Sequence, residues 1–352
     1  MCKRRLFFGL LICVLLLFTA ACGGSSSGGS SSAGGNANSS GVGEPITVIM
    51  THEVALNHAK HMKMEEFARK LEEKSGGRLK AELYPSGQLY TDPDAVAAMG
   101  TGSVHIAWPP SAILEALNEK VSIIGLPFAL DDEVMLNNQG FKDDLNELIS
   151  SLLEEKNIRF LGLLRATGGV LISTDKRLAT AEDLAGLKVS VAGGQTQISI
   201  FENLGSTAFV MPISETPTAM AQGTVNAVHT SPSAWATGIG DVGKFGAVIP
   251  GIIPANYAMI VDGKWFNSLP EDLQQVIIEA ANETATDYTQ FSIDTDNAML
   301  EEVKKFATVD YFTKEETGKV KEKMAPVIES FKQKFPEIYE KFEQIKKNNG
   351  VN

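Results

Sequence analysis

The sequence predicts an α/β protein of two lobes, and three patterns carry that prediction. From Ile46 onward, strand-length apolar runs alternate with helix-length amphipathic runs, the pattern of sheets covered by helices. The stretch from Leu161 to Gly194 reads as strand, crossing, short helix and strand, and it is where the chain passes from one α/β series to the next. A helical pattern from Leu269-Pro270 to about Phe306 covers about 37 residues, roughly 55 Å at 1.5 Å per residue, which suits a strut lying across both lobes. With 352 residues, 43% of them hydrophobic and 21% charged, the chain is long enough for two such units.

The first residues stand apart from that pattern. Lys3, Arg4 and Arg5 form a positive segment, Leu6 to Phe18 an apolar one, and Thr19-Ala20-Ala21-Cys22 a small-residue cleavage site, so residues 1–22 read as an export signal. The apolar run, about 13 residues, is short of the roughly 20 that span a bilayer. Cys22 directly after the small residues resembles a bacterial lipobox, in which that cysteine is acylated and becomes the mature N-terminus, although Thr19 replaces the usual Leu. Cys2 and Cys13 leave with the signal, so the folded part holds no thiol and rests on its core alone. Residues 23–43, almost all Gly, Ser, Ala and Asn, form a flexible tether with a reach of roughly 25 Å. The GxSxG match at Gly24–Gly28 lies in this low-complexity run without a flanking strand or helix and carries no chemistry. Loss of Lys3, Arg4 and Arg5 takes the formal charge from −12 to −15, an acidic surface that argues against nucleic acid and anionic lipid as partners.

In the folded part, Ile46–Met50 reads as a strand and Asn57–Lys74 as a helix with Met64, Phe67, Ala68 and Leu71 on one face, stopped by Gly76-Gly77. Leu79–Tyr84 is the next strand. Asp92-Pro93 supplies an N-cap and a first-turn proline for a helix ending near Gly100, and Val104–Trp108 is a third strand. Helices are expected at Ser111–Asn118 and Val134–Glu155, then a strand at Arg159–Ala166 leading into the crossing. The second series is strand Leu187–Val191, helix Gln195–Leu204, strand Ala208–Met211 and helix Thr216–Gln222, with Ala227–Thr230 and Tyr257–Val261 expected to cross back. A short strand at Val309–Phe312 and two charged amphipathic helices end the chain. The alternation implies parallel sheets with ligand-facing loops at the strands' carboxyl ends. The first lobe is expected to hold residues 44–167 and about 256–295, and the second residues 168–255 and about 296–349.

Six stretches, in this order and spacing, resemble the solute-binding proteins of tripartite ATP-independent periplasmic (TRAP) transporters, the DctP family. They are FARKLEEKSGGRLKAELYPSGQL from Phe67, GLPFAL from Gly125, AEDLAGLKVSV from Ala181, ENLGSTAFVMPISE from Glu202, AQGTVNAV from Ala221 and LPEDLQQVIIEAA from Leu269. The resemblance spans Thr47 to about Ile345. It implies a periplasmic-binding-protein-like fold of the type II class, with crossing strands and a long bracing helix, that closes on a small organic solute, most often a carboxylate. It implies no catalysis and no cofactor, and a membrane permease of a small and a large subunit as the docking partner. With Cys22 as a lipid anchor, the receptor is expected on the outer face of the cell membrane, as a monomer.

The same resemblance exposes a departure. Family members usually carry Arg two residues after the GLK of the signature strand, where its fork holds a substrate carboxylate through two charge-assisted hydrogen bonds. That position is Ser190 here, and a second Arg of some members aligns with Val170. Burying a carboxylate without its partner costs about 2–5 kcal/mol, so the solute is either neutral or zwitterionic or is met by another group, for which Arg165 is the nearest candidate. Arg165 reads equally as a partner in an ion pair between or on the lobes.

Other candidates sit where strands end. Trp108, at the end of a first-lobe strand, offers either a ring to stack on a ligand or a core residue, with Ser111 close behind. Ile213, Thr230 and Ser231 lie at the matching edge of the second lobe, where the family often has an amide near Thr230. Asn256 and Tyr257 enter the return crossing. His52, Glu53, Asn57 and His58 cluster in the first strand-to-helix loop without metal-motif spacing, and no metal is expected there. Gly238–Gly243 matches GxGxxG but follows a helix instead of a strand, so it reads as a loop, and Asn282-Glu283-Thr284 lies inside the long helix. Two other functions are open to the same fold: presenting a ligand to a sensor kinase, and an extracellular enzyme, for which Ser, His and Asp show no catalytic spacing.

Overall fold

The computed structural model describes residues 44–351; the expected signal segment, Cys22 and the tether lie outside the described residues. The first lobe is built on β1 (Ile46–Thr51), β2 (Leu79–Tyr84), β3 (Ile106–Ala107), β4 (Ile158–Gly168) and β10 (Pro254–Asp262), in the order β2-β1-β3-β10-β4. The second holds β5 (Val170–Ser173), β6 (Lys188–Val191), β7 (Thr207–Val210), β8 (Ala227–Thr230), β9 (Phe245–Val248) and β11 (Thr308–Tyr311), in the order β11-β9-β5-β8-β6-β7.

The sheets are mixed, not wholly parallel. β10 runs antiparallel to both β3 and β4, and β5 antiparallel to both β8 and β9, because the chain enters the second lobe on one strand and returns on the next. Only Gly169 separates β4 from β5, so one extended segment serves both sheets. The return runs from β9 to β10. β8, expected to cross back, stays inside the second sheet between β5 and β6.

Local chemistry places the helices. In α1 (Ala59–Lys74), Met64, Phe67 and Leu71 are fully buried, His58 caps the start by accepting from the Lys60 amide, and Gly76 and Gly77, both at positive φ, turn the chain out of the helix. α2 (Asp92–Ala98) is capped by Thr91, whose hydroxyl accepts from the Asp94 amide, and not by Asp92. The single helix expected over 134–155 is two, α3 (Asp132–Asn137) and α4 (Gln139–Leu153), because Asn138 leaves helical geometry and its side chain accepts from the Phe141 amide. After Pro109-Pro110, Ser111–Ala116 forms a tighter 3₁₀ turn in place of an α-helix.

The second lobe adds α5 (Gln195–Asn203), α6 (Thr216–Ala221) and the one-turn α7 (Pro232–Ala234), followed by α8 (Gly263–Ser268) back in the first. The GxGxxG match lies in the irregular turns after Trp235, not after a strand. The long helix α9 (Glu271–Val303) has 33 residues and continues unbroken through Asp294–Asp296, about 50 Å at 1.5 Å per residue. It joins the lobes by direct bonds. Ser292 donates to the Arg165 carbonyl of β4 at 2.8 Å, and Asp296 accepts from the Ser233 amide of α7 at 2.9 Å. α10 (Lys314–Lys334) packs Val320, Met324 and Val327 into the second lobe's core. α11 (Pro336–Asn348) departs from the expected assignment of 296–349 to that lobe: Ile338 and Phe342 enter the first lobe's core beside Phe141. Among the described residues no helix is long and apolar enough to cross a membrane.

Candidate functional site

Between the lobes, the carboxyl ends of β1, β6 and β8 converge. On the first lobe the loop after β1 delivers Glu53, and the first turns of α1 and α2 deliver Lys60 and Asp92. Lys60 is fully buried; its Nζ lies 2.6 Å from Asp92 Oδ2 and 3.2 Å from the Trp108 carbonyl, over the Tyr257 ring at 4.6 Å from its centre. Burial of such a pair is tolerated because each charge faces its opposite, and Lys60 is hydrogen-bonded beyond the pair. Burial raises Asp92 above the usual carboxylate range against the pull of Lys60. It also pushes Glu53 up to about 7, with Asp92 adding to the effect.

The second lobe faces these groups with Ser190 and Val191 of β6, Met211 and Ile213 beyond β7, and His229 and Thr230 of β8. Ser190 is buried, and its hydroxyl meets Thr216 Oγ1 at 3.0 Å. His229 is pushed down to about 4 by burial and is neutral at neutral pH. Its ring fills the space beside Gly169, where a Cβ would stand 2.1 Å from Nε2, so a side chain at this crossing would displace the histidine.

Two cavities of about 50 and 70 Å³ remain where the lobes meet. They adjoin, since Pro110, Ala192, His229, Thr230 and Tyr257 line both. Hydrogen bonds cross from lobe to lobe around them: Ser214 Oγ donates to Glu53 Oε2 at 3.1 Å, His58 Nε2 pairs with Ser231 Oγ at 3.3 Å, and the Thr196 amide donates to Glu115 Oε2 at 3.2 Å. Burial pushes His58 down to about 3 and Glu115 up to about 7.

The residues singled out in the sequence divide among three places. Glu53, Ser190, Ile213 and Thr230 line the first cavity, Ser111, Thr230, Ser231 and Asn256 the second, and Tyr257 both. Trp108 and Val170 do not line either: Trp108 packs in the first lobe's core with its ring 5.4 Å from that of Phe67, and Val170 is fully buried in the second lobe's core. His52 is also wholly buried, its Nε2 2.9 Å from His61 Nδ1, and burial with neighbouring Lys60 pushes it down to about 2. Arg165 lines a separate cavity of about 280 Å³ with Asp296 and Tyr311, its NH1 3.4 Å from the Ala255 carbonyl. Among the described residues, no group of three or more His, Cys, Asp or Glu side chains is placed to hold a metal ion.

Sequence reasoning missed Lys60, Asp92, Gln197 and His229. A signal existed for the first two, since each sits in the first turn of a helix that follows a strand, the position that faces the cleft in this architecture. Asp92 was masked by its resemblance to a cap.

Comparison with known proteins agrees with this fold. A model of the DctP family, described as bacterial extracellular solute-binding protein, family 7, matches residues 50–334. The C4-dicarboxylate-binding periplasmic protein DctP of Rhodobacter capsulatus is 27% identical over 293 residues, 81% of this chain and 86% of that protein. The C4-dicarboxylate-binding protein DctB of Bacillus subtilis is 24% identical over 280 residues, 78% of each chain. Among solved structures, the sugar acid binding protein DctPAm from Advenella mimigardefordensis, in complex with galactonate, superposes with a TM-score of 0.79 at 22% identity, covering 86% of this chain and 98% of that one. A TRAP periplasmic solute-binding protein from Sulfurospirillum deleyianum with bound succinate gives 0.77 at 22% identity, covering 85% and 98%.

Proposed function

The chain belongs to the DctP family of bacterial extracellular solute-binding proteins, and from that premise we propose that it captures a small organic solute between its lobes and delivers it to a two-subunit, ion-gradient-driven TRAP permease. The observation that carries the proposal is the pair of adjoining cavities walled by both lobes and bridged by the Glu53–Ser214 and His58–Ser231 contacts. A ligand placed there touches both walls and favours the closed arrangement by its differential affinity for it. The hinges are the crossings near Thr167–Gly169 and Ala255–Asn256, where few residues join the sheets. Its relatives include C4-dicarboxylate-binding proteins and solved structures with galactonate or succinate bound, so the solute is an organic acid by class, held without the guanidinium that Ser190 and Val170 replace. The receptor binds its solute without transforming it, works as a monomer and is held at the outer face of the cell membrane through acylated Cys22.

A thermal-unfolding screen of the purified protein against small organic acids tests this. Solute at 100 times its dissociation constant stabilises by about 2.7 kcal/mol. Glu53→Gln and Thr230→Val, on opposite walls, are each expected to weaken the response. A solute whose affinity neither change alters is bound elsewhere, and the proposed site is then wrong.

A further inference from the structure

The cleft walls carry information about the solute, on the reading that it lies between the lobes. The buried oxygens without partners there are acceptors. Asp92, 1% exposed, gives Oδ2 to Lys60, and no hydrogen bond of normal geometry reaches Oδ1, although the Glu53 backbone is near enough to favour the charged form. Asn256, 3% exposed, donates from Nδ2 to the Pro254 carbonyl at 3.4 Å and leaves Oδ1 unbonded. Turning that amide over would set its oxygen against a carbonyl, so the acceptor role is the one the surroundings permit. From the second lobe, Gln197 leaves Oε1 unbonded. Asp92 lines the first cavity, and Asn256 and Gln197 the second.

Among the residues lining the two cavities Lys60 is the charged donor, and it is spent; His229 leaves Nε2 unbonded and offers only a neutral one. Lys60 has three N–H groups, and its Nζ already faces Asp92, the Trp108 carbonyl and the Tyr257 ring. The Ser190 hydroxyl is engaged with Thr216. A dicarboxylate closed into this space would bring one of its carboxylates against Asp92 and against Glu53, whose charged form Asp92 already disfavours. Each buried acceptor gave up water when the lobes met, and an N–H or O–H brought by the solute replaces that loss.

We propose that the solute carries hydrogen-bond donors, a protonated amine or hydroxyl groups, at the end that meets Asp92 and Glu53, and has no more than one carboxylate. The shared chemistry is N–H or O–H donation, and the two sources separate by charge.

The test uses three compounds on one four-carbon frame: succinate with two carboxylates, 4-aminobutyrate with one carboxylate and an ammonium, and erythritol with hydroxyls alone. Each is titrated into the purified protein up to about 10 mM, which saturates a site with a dissociation constant of about 1 mM. Binding of 4-aminobutyrate or erythritol in preference to succinate is expected. In Glu53→Gln, an ammonium-bearing ligand is expected to weaken about tenfold or more and a hydroxyl-bearing one by less than about threefold, because the first loses its opposite charge whereas the second still finds an acceptor in the Gln carbonyl. A preference for succinate, or no binding of either donor-bearing compound, overturns the inference. If succinate is preferred and its affinity falls in Thr230→Val, the cleft remains the site and only the solute class is wrong; if neither Thr230→Val nor Glu53→Gln changes it, the cleft reading falls too.

Discussion

Glu115 offers a measurable handle on lobe closure. It belongs to the first lobe's 3₁₀ turn, yet its carboxylate accepts from the Thr196 amide at the start of α5 in the second. The approach is so close that a Cβ on Gly194, which sits at φ +78, would stand 2.4 Å from the carboxyl carbon. Burial pushes Glu115 up to about 7 from a usual 4.5, against the pull of its bonds to Thr196. Between those two values the folded protein holds a proton that the unfolded chain has released, so this group's stabilising contribution is present below about pH 4.5 and is lost as pH rises through about 7. At about 1.4 kcal/mol per unit, the loss amounts to about 3 kcal/mol. Glu115→Gln keeps the shape and removes the titration. Urea unfolding of both proteins between about pH 4.5 and 8 should therefore show the variant's stability rising relative to wild type by about 3 kcal/mol across the range. The buried histidines oppose the acids in both proteins and drop out of the difference. Parallel stability profiles would show that this carboxylate is not desolvated between the lobes.

Three further predictions concern the buried Lys60–Asp92 pair and two glycines. Lys60→Met strands the Asp92 carboxylate in the interior, with an expected loss of about 3–5 kcal/mol in urea unfolding, and adding Asp92→Asn should restore a large part of it; a double variant no more stable than the single one would refute the pairing. Gly246→Ala would set a Cβ 2.2 Å from Trp235 Cζ3 and should cost about 1–3 kcal/mol. Gly318→Ala in α10, with nothing within 4 Å, should instead gain up to about 1 kcal/mol; equal effects at the two sites would refute the packing account.

Much of the architecture was legible because it is encoded locally. The helical face of Met64, Phe67 and Leu71, the stop at Gly76-Gly77 and the length of α9 are all properties of short windows of sequence, and periodicity reports them directly. The breaks were harder. Asn138 divides α3 from α4 through one side-chain bond to the Phe141 amide, a local alternative that apolar spacing does not register. The direction of β10 depends on which strands it meets after the return crossing, and no short window contains both partners.

The site shows the same division. The positions at strand ends that reach the cavities, Ser111, Ser190, Thr230, Ser231, Asn256 and Tyr257, were predictable from where loops fall in an α/β sheet. Sequence by itself determined the two-lobed α/β family. Only tertiary structure decided that Trp108 turns into the core, that Arg165 faces a cavity of its own, and that Lys60 and Asp92, 32 positions apart, share a bond. The physical reason is that burial and partnership set the charge and the free bonds of a polar group, and both are supplied by residues distant in the chain.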